Sequence, residues 1–506
     1  MKIKSLYILG LAAVLGTGCN KTFLDVNTNP NALPTATPAY VISTALNVTS
    51  TNMLGPNELG SFWAGHWTQS NGYIISTTIF AYNFTDGDFN YWDGFYDNLQ
   101  DYQYVINGAD AAGQPYFKGP AKIMKAYIFQ HLVDMYGNVP FSDALKATAS
   151  LAPKFDDQKT VYEGLITLLD DGIKDVNANA FASSYSSSDF MFKGNQAKWV
   201  QFANSLKLRI LTHQARISGR DAYITTEINK IVSGGGGWLT GAEAGINPGY
   251  EAVGGHTNPA YNNYGYNFSG TRQANNNYPR LSAYLVNTLK ANNDTFRLKR
   301  YGYAPGNEDQ ANPGKSVFPE IAANYVGVPF GASAGFQPST CSALGPSLLV
   351  RGDYGRPYVM FTAAEVQFCL AELKQRFPGV TLSGTAQGYY EEGVRQAFRL
   401  VGSTTAQANA LTSSGLADCD WVASTDKLKA IATQKWFGLC NFQGFEAWTE
   451  YRRTRIPVTP QSQQEPSSKR PLRFFYPNTE GGSNTANVKA QGTIDVFATK
   501  IFWDVN

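Results

Sequence analysis

The sequence predicts a mostly α-helical protein in which stacked helix pairs are interrupted by one long loop-rich insertion. Three observations carry that expectation. Apolar residues recur at helical spacing on both sides of the middle of the chain, helix-turn-helix segments span about forty residues each, and residues 234–360 hold Gly, Asn and Pro at a density that breaks long helices.

The first element stands apart from that fold. Lys2 and Lys4 precede an apolar run from Leu6 to Leu15, followed by Gly16-Thr17-Gly18-Cys19. A basic start, a short apolar core and small residues ahead of a cysteine describe an export signal over residues 1–18 with lipid attached at Cys19. The run is about ten residues, too short to cross a ~30 Å hydrocarbon core. A plainly secreted protein is the alternative. Residues 19–37, with Asn27, Asn29, Pro30, Asn31 and Pro34, lack apolar periodicity and read as a lipidated leader or tether.

One domain is expected over 38–506, helical over 38–233 and 361–455, with a loop-rich ligand region at about 234–360 and a C-terminal loop segment over 456–506. A helix pair occupies about Trp92 to Tyr136. Its second half, from Pro120, is apolar on most sides and must pack between neighbours. In the next pair, 160–178 with 195–217, the residues Trp199, Phe202, Ala203, Leu206 and Ile210 form a buried stripe, with Lys198, Lys207 and Arg209 expected off it. Thr362-Ala363-Ala364-Glu365 has the capping-box form, in which hydroxyl and carboxylate satisfy the free amides of a helix start. That helix stops at Pro378-Gly379; a second runs from about Ala386 to Val401, and a last pair lies within 424–454. Ala121, Ala126, Ala364 and Ala371 fall at close-packing positions, which fits tetratricopeptide-like stacking, with an irregular bundle as the alternative.

Composition narrows the function. Lys and Arg number 41 against 39 Asp and Glu, a net charge of +2, and no basic block is present to track a phosphate backbone, so nucleic acid is not expected as a partner. Aromatic residues make up 13% of the chain against 16% charged, which suits a site for neutral, hydroxyl-rich ligands, a protein interface or a large tyrosine-rich core. Beyond Cys19, the cysteines Cys341, Cys369, Cys419 and Cys440 are too few for a disulfide framework. Cys369 lies in an apolar helical stretch, while Cys419 and Cys440 could pair. There is no C-x-x-C and no zinc spacing.

Several segments, in order, resemble one family. They are Phe23-Leu24-Asp25 with Asn29-Pro30, Met124-Lys125-Ala126-Tyr127 through Asp134-Met135-Tyr136-Gly137-Asn138-Val139-Pro140-Phe141, and Lys198-Trp199 with Phe202 to Arg209. Ala363-Ala364-Glu365-Val366 with Ala371-Glu372, Gln434-Lys435-Trp436-Phe437, Glu446 to Arg453, and Arg473 to Glu480 complete the set. Together they are similar to the SusD/RagB family of nutrient-binding outer-membrane lipoproteins, in its SusD-like branch. The resemblance implies a tetratricopeptide-like scaffold with a loop-rich ligand region, no catalytic residues and no cofactor. It implies a lid on a SusC-like TonB-dependent barrel, anchored by lipid at the cell surface and capturing an oligosaccharide or a peptide. Asn20-Lys21-Thr22 follow Cys19 where exported members often carry acidic residues, so the membrane leaflet stays open.

The matching blocks are scaffold, so ligand contacts are sought elsewhere. A sugar site needs aromatic platforms with amides, carboxylates or guanidinium groups beside them. Two loop regions have that make-up: residues 71–92, with Tyr73, Tyr82, Phe84, Tyr91 and Trp92, and residues 250–280, with Tyr261, Asn263, Tyr264, Tyr266, Arg272 and Tyr278. Trp63 and Trp67, at helical spacing, read as core. A lipid-anchored glycoside hydrolase would need two carboxylates about 5–10 Å apart. Glu446 and Glu450 have suitable spacing but sit in a scaffold block and read as structural, as do Glu365, Arg452, Arg453 and Asn204. His66 and His131 lie in apolar helical stretches, no H-E-x-x-H or Gly-x-Ser-x-Gly occurs, and the calcium-loop start Asp86-Gly87-Asp88 has Tyr91 where glycine is required, so no metal site is expected. A structural envelope scaffold remains the third reading.

Overall fold

Short polar side chains start half of the long helices. Asp157 accepts hydrogen bonds from the amides of Lys159 and Thr160, Asn195 from Lys198, Thr362 from Glu365, Thr385 from Gly388 and Asp426 from Lys429. Each satisfies an amide that has no partner within its helix. The computed structural model describes residues 36–307, 318–465 and 467–506; the export signal, Cys19 and nearly all of the leader lie outside the described residues.

The long helices are α1 (Pro38–Asn52), α2 (Leu54–Trp63), α3 (Trp92–Gly108), α4 (Lys118–Tyr136), α5 (Gln158–Ala178), α6 (Gln196–His213) and α7 (Asp221–Gly234). Within the insertion lies α8 (Ala283–Ala291), and after it come α9 (Ala363–Arg376), α10 (Ala386–Leu400), α11 (Lys427–Leu439) and α12 (Gly444–Thr454). Helices next to each other in sequence pack against each other: α3 on α4, α4 on α5, α5 on α6, α9 on α10 and α11 on α12. Contacts of α6 with α9 and of α2 with α12 then join the N-terminal helices to the C-terminal ones. The fold is therefore the mostly helical, tetratricopeptide-like stack the sequence predicts, with Ala121, Ala126, Ala364 and Ala371 all buried.

Strands are short. β1 (Trp67–Gln69), β3 (Pro279–Leu281), β5 (Ala343–Leu344) and β4 (Gly302–Tyr303) form an antiparallel sheet in that order, and β2 (Ala244–Ile246) pairs antiparallel with β6 (Tyr358–Phe361). Trp63 ends α2 and Trp67 begins β1, so the pair is buried as expected but not on one helix. The insertion is thus stitched to the start of the domain by β1 and β3.

The Tyr136-Gly137-Asn138-Val139-Pro140 turn has a physical reason. Gly137 ends α4 at φ +78°, where a side chain is strained, and an added Cβ would stand 3.0 Å from the guanidinium of Arg473. Arg473 donates to the Tyr136 carbonyl, and Asn138 accepts from the amide of Gln158 at the start of α5, 3.0 Å away. One turn thereby closes α4, opens α5 and docks the C-terminal segment.

A second constraint is ionic. Arg209 and Lys207 are buried rather than held off the α6 stripe: Arg209 meets Glu365 in the core, and Lys207 reaches out to the exposed Asp170. Arg209 makes a bidentate pair with Glu365 at 2.6 Å on both oxygens, and lies 3.5 Å from Glu446. Glu365 is therefore only half a capping box: Thr362 caps its amide, while its carboxylate serves Arg209 and Gln443. From Glu446 the network runs through His213 at 2.9 Å. Lys435 lies 3.1 Å from Glu450, and Arg453 bridges Glu450 at 2.7 Å and Glu372 at 2.6 Å. Burial opposes ionisation of Glu446 and Glu372, yet Arg209 beside the first and Arg453 beside the second prevail and hold each carboxyl at about 2.

Removing one partner of a buried pair strands the other charge, which costs about 3–5 kcal/mol. Glu365→Ala should lose stability of that order in urea unfolding, because Arg209 remains in the core without its bidentate partner.

Candidate functional site

Where α2, the insertion and the C-terminal helices meet lies a cavity of about 780 Å³. Leu54, Asn57, Glu58 and Ser61 face it from α2, at the spacing of one helix face. Trp67 of β1 and Tyr264 at the end of the Pro259–Tyr264 helix, their rings edge-on at 5.6 Å, line it together with Phe318, Tyr358 and Phe442. The opposite walls come from 346–350, 356–359, 399–402 and 441–444.

The wall is close to α12 because two glycines let α2 approach it. A Cβ on Gly60 would lie 2.3 Å from the Gly444 carbonyl oxygen, and one on Gly444 would lie 2.1 Å from the Asn57 carbonyl oxygen. Backbone meets backbone there, so the approach requires both glycines.

Polar groups are interleaved with the apolar wall. Asn57 donates to the Tyr358 hydroxyl at 2.9 Å, Asn258 to the Arg356 carbonyl at 2.9 Å, and Asn441 to the Ser347 hydroxyl at 2.8 Å. The Tyr264 hydroxyl donates to Glu58 at 2.5 Å. Burial raises the Glu58 carboxyl above its ordinary 4.5, and the Tyr264 bond only partly opposes this. Guanidinium groups of Arg300, Arg356 and Arg399 complete the lining.

The loop aromatics of the sequence reading divide into three groups. Tyr264 reaches the cavity. Tyr73 and Tyr278, one from each loop region, meet edge-on at 5.3 Å, with the Tyr73 hydroxyl donating to the Ala274 carbonyl at 2.5 Å. Asn263 accepts from Asn275 nearby at 2.9 Å, exposed Arg272 donates to Asn277 at 3.2 Å, and Ile74 beside Tyr73 is 95% exposed. The two regions are thus neighbours in space.

The others turn inward. Tyr82 and Phe84 pack on Trp63, and Trp92 packs among Tyr96, Tyr136, Phe155 and Tyr476. Tyr261 accepts from the Gly352 amide at 2.8 Å and meets Tyr354, Tyr266 lies under Arg351, and half-buried Tyr91 fits between Phe89 and Phe474. As placed, Tyr82, Phe84, Trp92, Tyr261 and Tyr266 are core rather than ligand platforms. Their large apolar area is the reason: the insertion and the 71–92 loop fold back on the scaffold and bury it.

Cavity residues outside those regions escaped the sequence reading, notably 54–61, 242–243, 300, 356–358 and 399–402. The alternation of Leu54 with Asn57, Glu58 and Ser61 on one helix face was the available signal.

Other candidate groups are structural. His66 and His131 are buried, and Asn204 donates to the carbonyls of Gly235 and Gly237 at 3.1 and 3.0 Å. Arg452 donates to the carbonyls of Asp134 and Leu472. Cys341, Cys369, Cys419 and Cys440 are buried and free, so Cys419 and Cys440 do not pair. Asp88 accepts from the Thr85 amide and hydroxyl within its own turn. Donor atoms of His213, Glu446 and Glu450 lie within 4.8 Å of one another, but Arg209, Lys435 and Arg453 already answer these carboxylates and would repel a metal ion. The same pairing rules Glu446 and Glu450 out as a hydrolytic couple, since neither reaches solvent.

Comparison with known proteins places this architecture. The model of the SusD-like family, described as starch-binding and associating with the outer membrane, matches residues 30–477. A SusD homolog from Bacteroides uniformis superposes with a TM-score of 0.73 at 25% identity, over 92% of this chain and 100% of that one. A chitin-binding SusD homolog from Flavobacterium johnsoniae gives 0.72 at 22% identity, over 92% and 99%. A SusD homolog from Bacteroides fragilis gives 0.72 at 20% identity, over 93% and 99%. The last two likenesses establish the fold alone. No curated protein matches the chain.

The raised Glu58 carboxyl has a sign. A group whose pKa is higher folded than unfolded contributes stability that is full below the unfolded value and is lost as pH rises through the folded one. Glu58→Gln keeps an acceptor for Tyr264 and removes the charge. It should melt above the parent protein at about pH 8, with the gap closing at about pH 4.

Proposed function

We propose, for a chain that belongs to the SusD-like family, that it binds an oligosaccharide in the cavity between α2, the insertion and the C-terminal helices, and serves as the lid of a SusC-like TonB-dependent barrel. The observation that carries the reading is that cavity. Its volume of about 780 Å³ falls in the range of ligand sites, and its lining sets Trp67 and Tyr264 beside amides and charged groups. Sugar rings offer apolar faces to such aromatics and hydroxyls to such polar groups.

Binding, rather than catalysis, is what the family's description names, and the starch in that description supports a glycan over a peptide. Anchoring would come from lipid at Cys19, with the folded body at the cell surface of the outer membrane. Among the described residues no helix is long and apolar enough to cross a membrane. In the lid, the helical stack would hold the barrel while the loop face closes over ligand.

Two experiments test this. Ala242 is exposed on the cavity wall, and Ala242→Trp should fill the opening without disturbing the core. Titration calorimetry against neutral and acidic oligosaccharide panels should show binding by the parent chain and a loss of at least about tenfold, or ~1.4 kcal/mol, in the variant. Unchanged affinity would move the site elsewhere. Affinity purification of the tagged full-length protein from its detergent-solubilised envelope should bring down a stoichiometric large barrel; recovery of the protein alone would defeat the lid assignment.

A further inference from the structure

Resting on the carbohydrate reading above, we infer that the cavity takes an acidic oligosaccharide, one bearing uronic-acid carboxylates, and that Arg300 receives a carboxylate. The charged groups on the wall are Arg300, Arg356 and Arg399 against Glu58 and Glu243. They are not equivalent once their partners are assigned.

Arg399 pairs with Glu243 and donates from Nε to Gln396 at 2.9 Å; Glu243 also accepts from the Ala363 amide at 2.6 Å. Arg356 pairs with Asp353 and donates to the carbonyls of Pro346 and Ser347 at 2.6 and 3.1 Å. Both guanidinium groups are therefore neutralised and held by the protein itself. Glu58 is engaged by Tyr264.

Arg300 differs. Its side chain makes one hydrogen bond, from Nη2 to the Gly402 carbonyl at 3.2 Å, and no carboxylate among the described residues reaches it. Its Nε is buried without a partner. The guanidinium lies over the Phe318 ring, 5.7 Å from the centroid, and both residues line the cavity. The half-buried guanidinium therefore has donors that no protein group uses and that a ligand can take. Guanidinium presents five donors in a planar fork that matches a carboxylate in charge and shape, whereas a sugar hydroxyl offers an acceptor and no charge. With Trp67 and Tyr264 lining the same cavity, the chemistry that fits is a sugar ring with a carboxylate on it.

The test is calorimetry on the full folded domain with hexasaccharides of galacturonate, guluronate and mannuronate, beside maltohexaose and chitohexaose as neutral probes, at low and high salt. At least one uronate should bind about ten- to a hundredfold more tightly than either neutral probe, as a charge-assisted contact warrants, and should weaken with salt. Arg300→Gln should abolish that preference, and Arg300→Lys, which keeps the charge but not the fork, should retain part of it. Melting curves establish that each variant folds, and Arg300→Lys with the salt series decides the matter if Arg300→Gln does not. Neutral probes binding as tightly as every uronate, or a preference that survives Arg300→Gln, would overturn the acidic-ligand inference and leave the carbohydrate reading standing. Binding of no oligosaccharide of either kind would overturn the carbohydrate reading itself, and this inference with it.

Discussion

The rest of the structure depends on a buried ion network at the junction of the two helical halves. Arg209 and His213 come from α6, Glu365 and Glu372 from α9, Lys435 from α11, and Glu446, Glu450 and Arg453 from α12. Each buried ion costs several kcal/mol in lost hydration, and the group is tolerable only when every member is answered. Such a set fixes the rotation and translation of four helices at once, because a shift of one helix by a residue would leave charges unmatched in the core. Apolar packing alone, which accepts many similar arrangements, does not impose that register.

Fixing the stack frees the chain elsewhere. The insertion over 234–360 has only short helices and strands of a few residues, and could not hold itself together. It is pinned by β1 and β3 at the start of the domain, by β2 and β6 near α9, and by aromatic residues driven into the scaffold core. Gly60 and Gly444 bring α2 against α12 on the adjoining face. The cavity lies where these constraints meet, so its walls come from sequence segments hundreds of residues apart.

That geometry explains what was legible in the sequence. Helix pairs were legible because periodicity and caps are local: Thr362, the Pro378-Gly379 stop and the small residues at Ala121 and Ala364 each act within a turn or two. The structural roles of Glu446, Glu450, Arg453 and Asn204 were legible because carboxylates and amides in apolar helical blocks have to be satisfied where they are. Arg209 and Lys207 were misplaced because helical spacing marks the apolar stripe but does not say whether the other faces are also covered. Tyr82, Phe84, Trp92, Tyr261 and Tyr266 lie in turn-rich segments, and turn residues report where the backbone bends, not which side of the bend packs inward. The cavity was least legible, since no local signal brings Leu54, Tyr264, Arg356 and Arg399 together.

The contrast between the ion network and the cavity carries a functional argument. Inside the network each cation faces a carboxylate. On the cavity wall the same residue types are used, and Arg356 and Arg399 are likewise answered, but the accounting stops short at Arg300, whose Nε is buried without an acceptor. Each guanidinium of the network meets a carboxylate, whereas Arg300 meets none among the described residues, and on the acidic-ligand inference that carboxylate arrives with the ligand. The wall would then be electrostatically complete only in the bound state, and the free energy of completing it becomes available to the binding step. If the chain serves as the lid proposed above, that is the useful place for it, because binding then favours the arrangement in which ligand is enclosed.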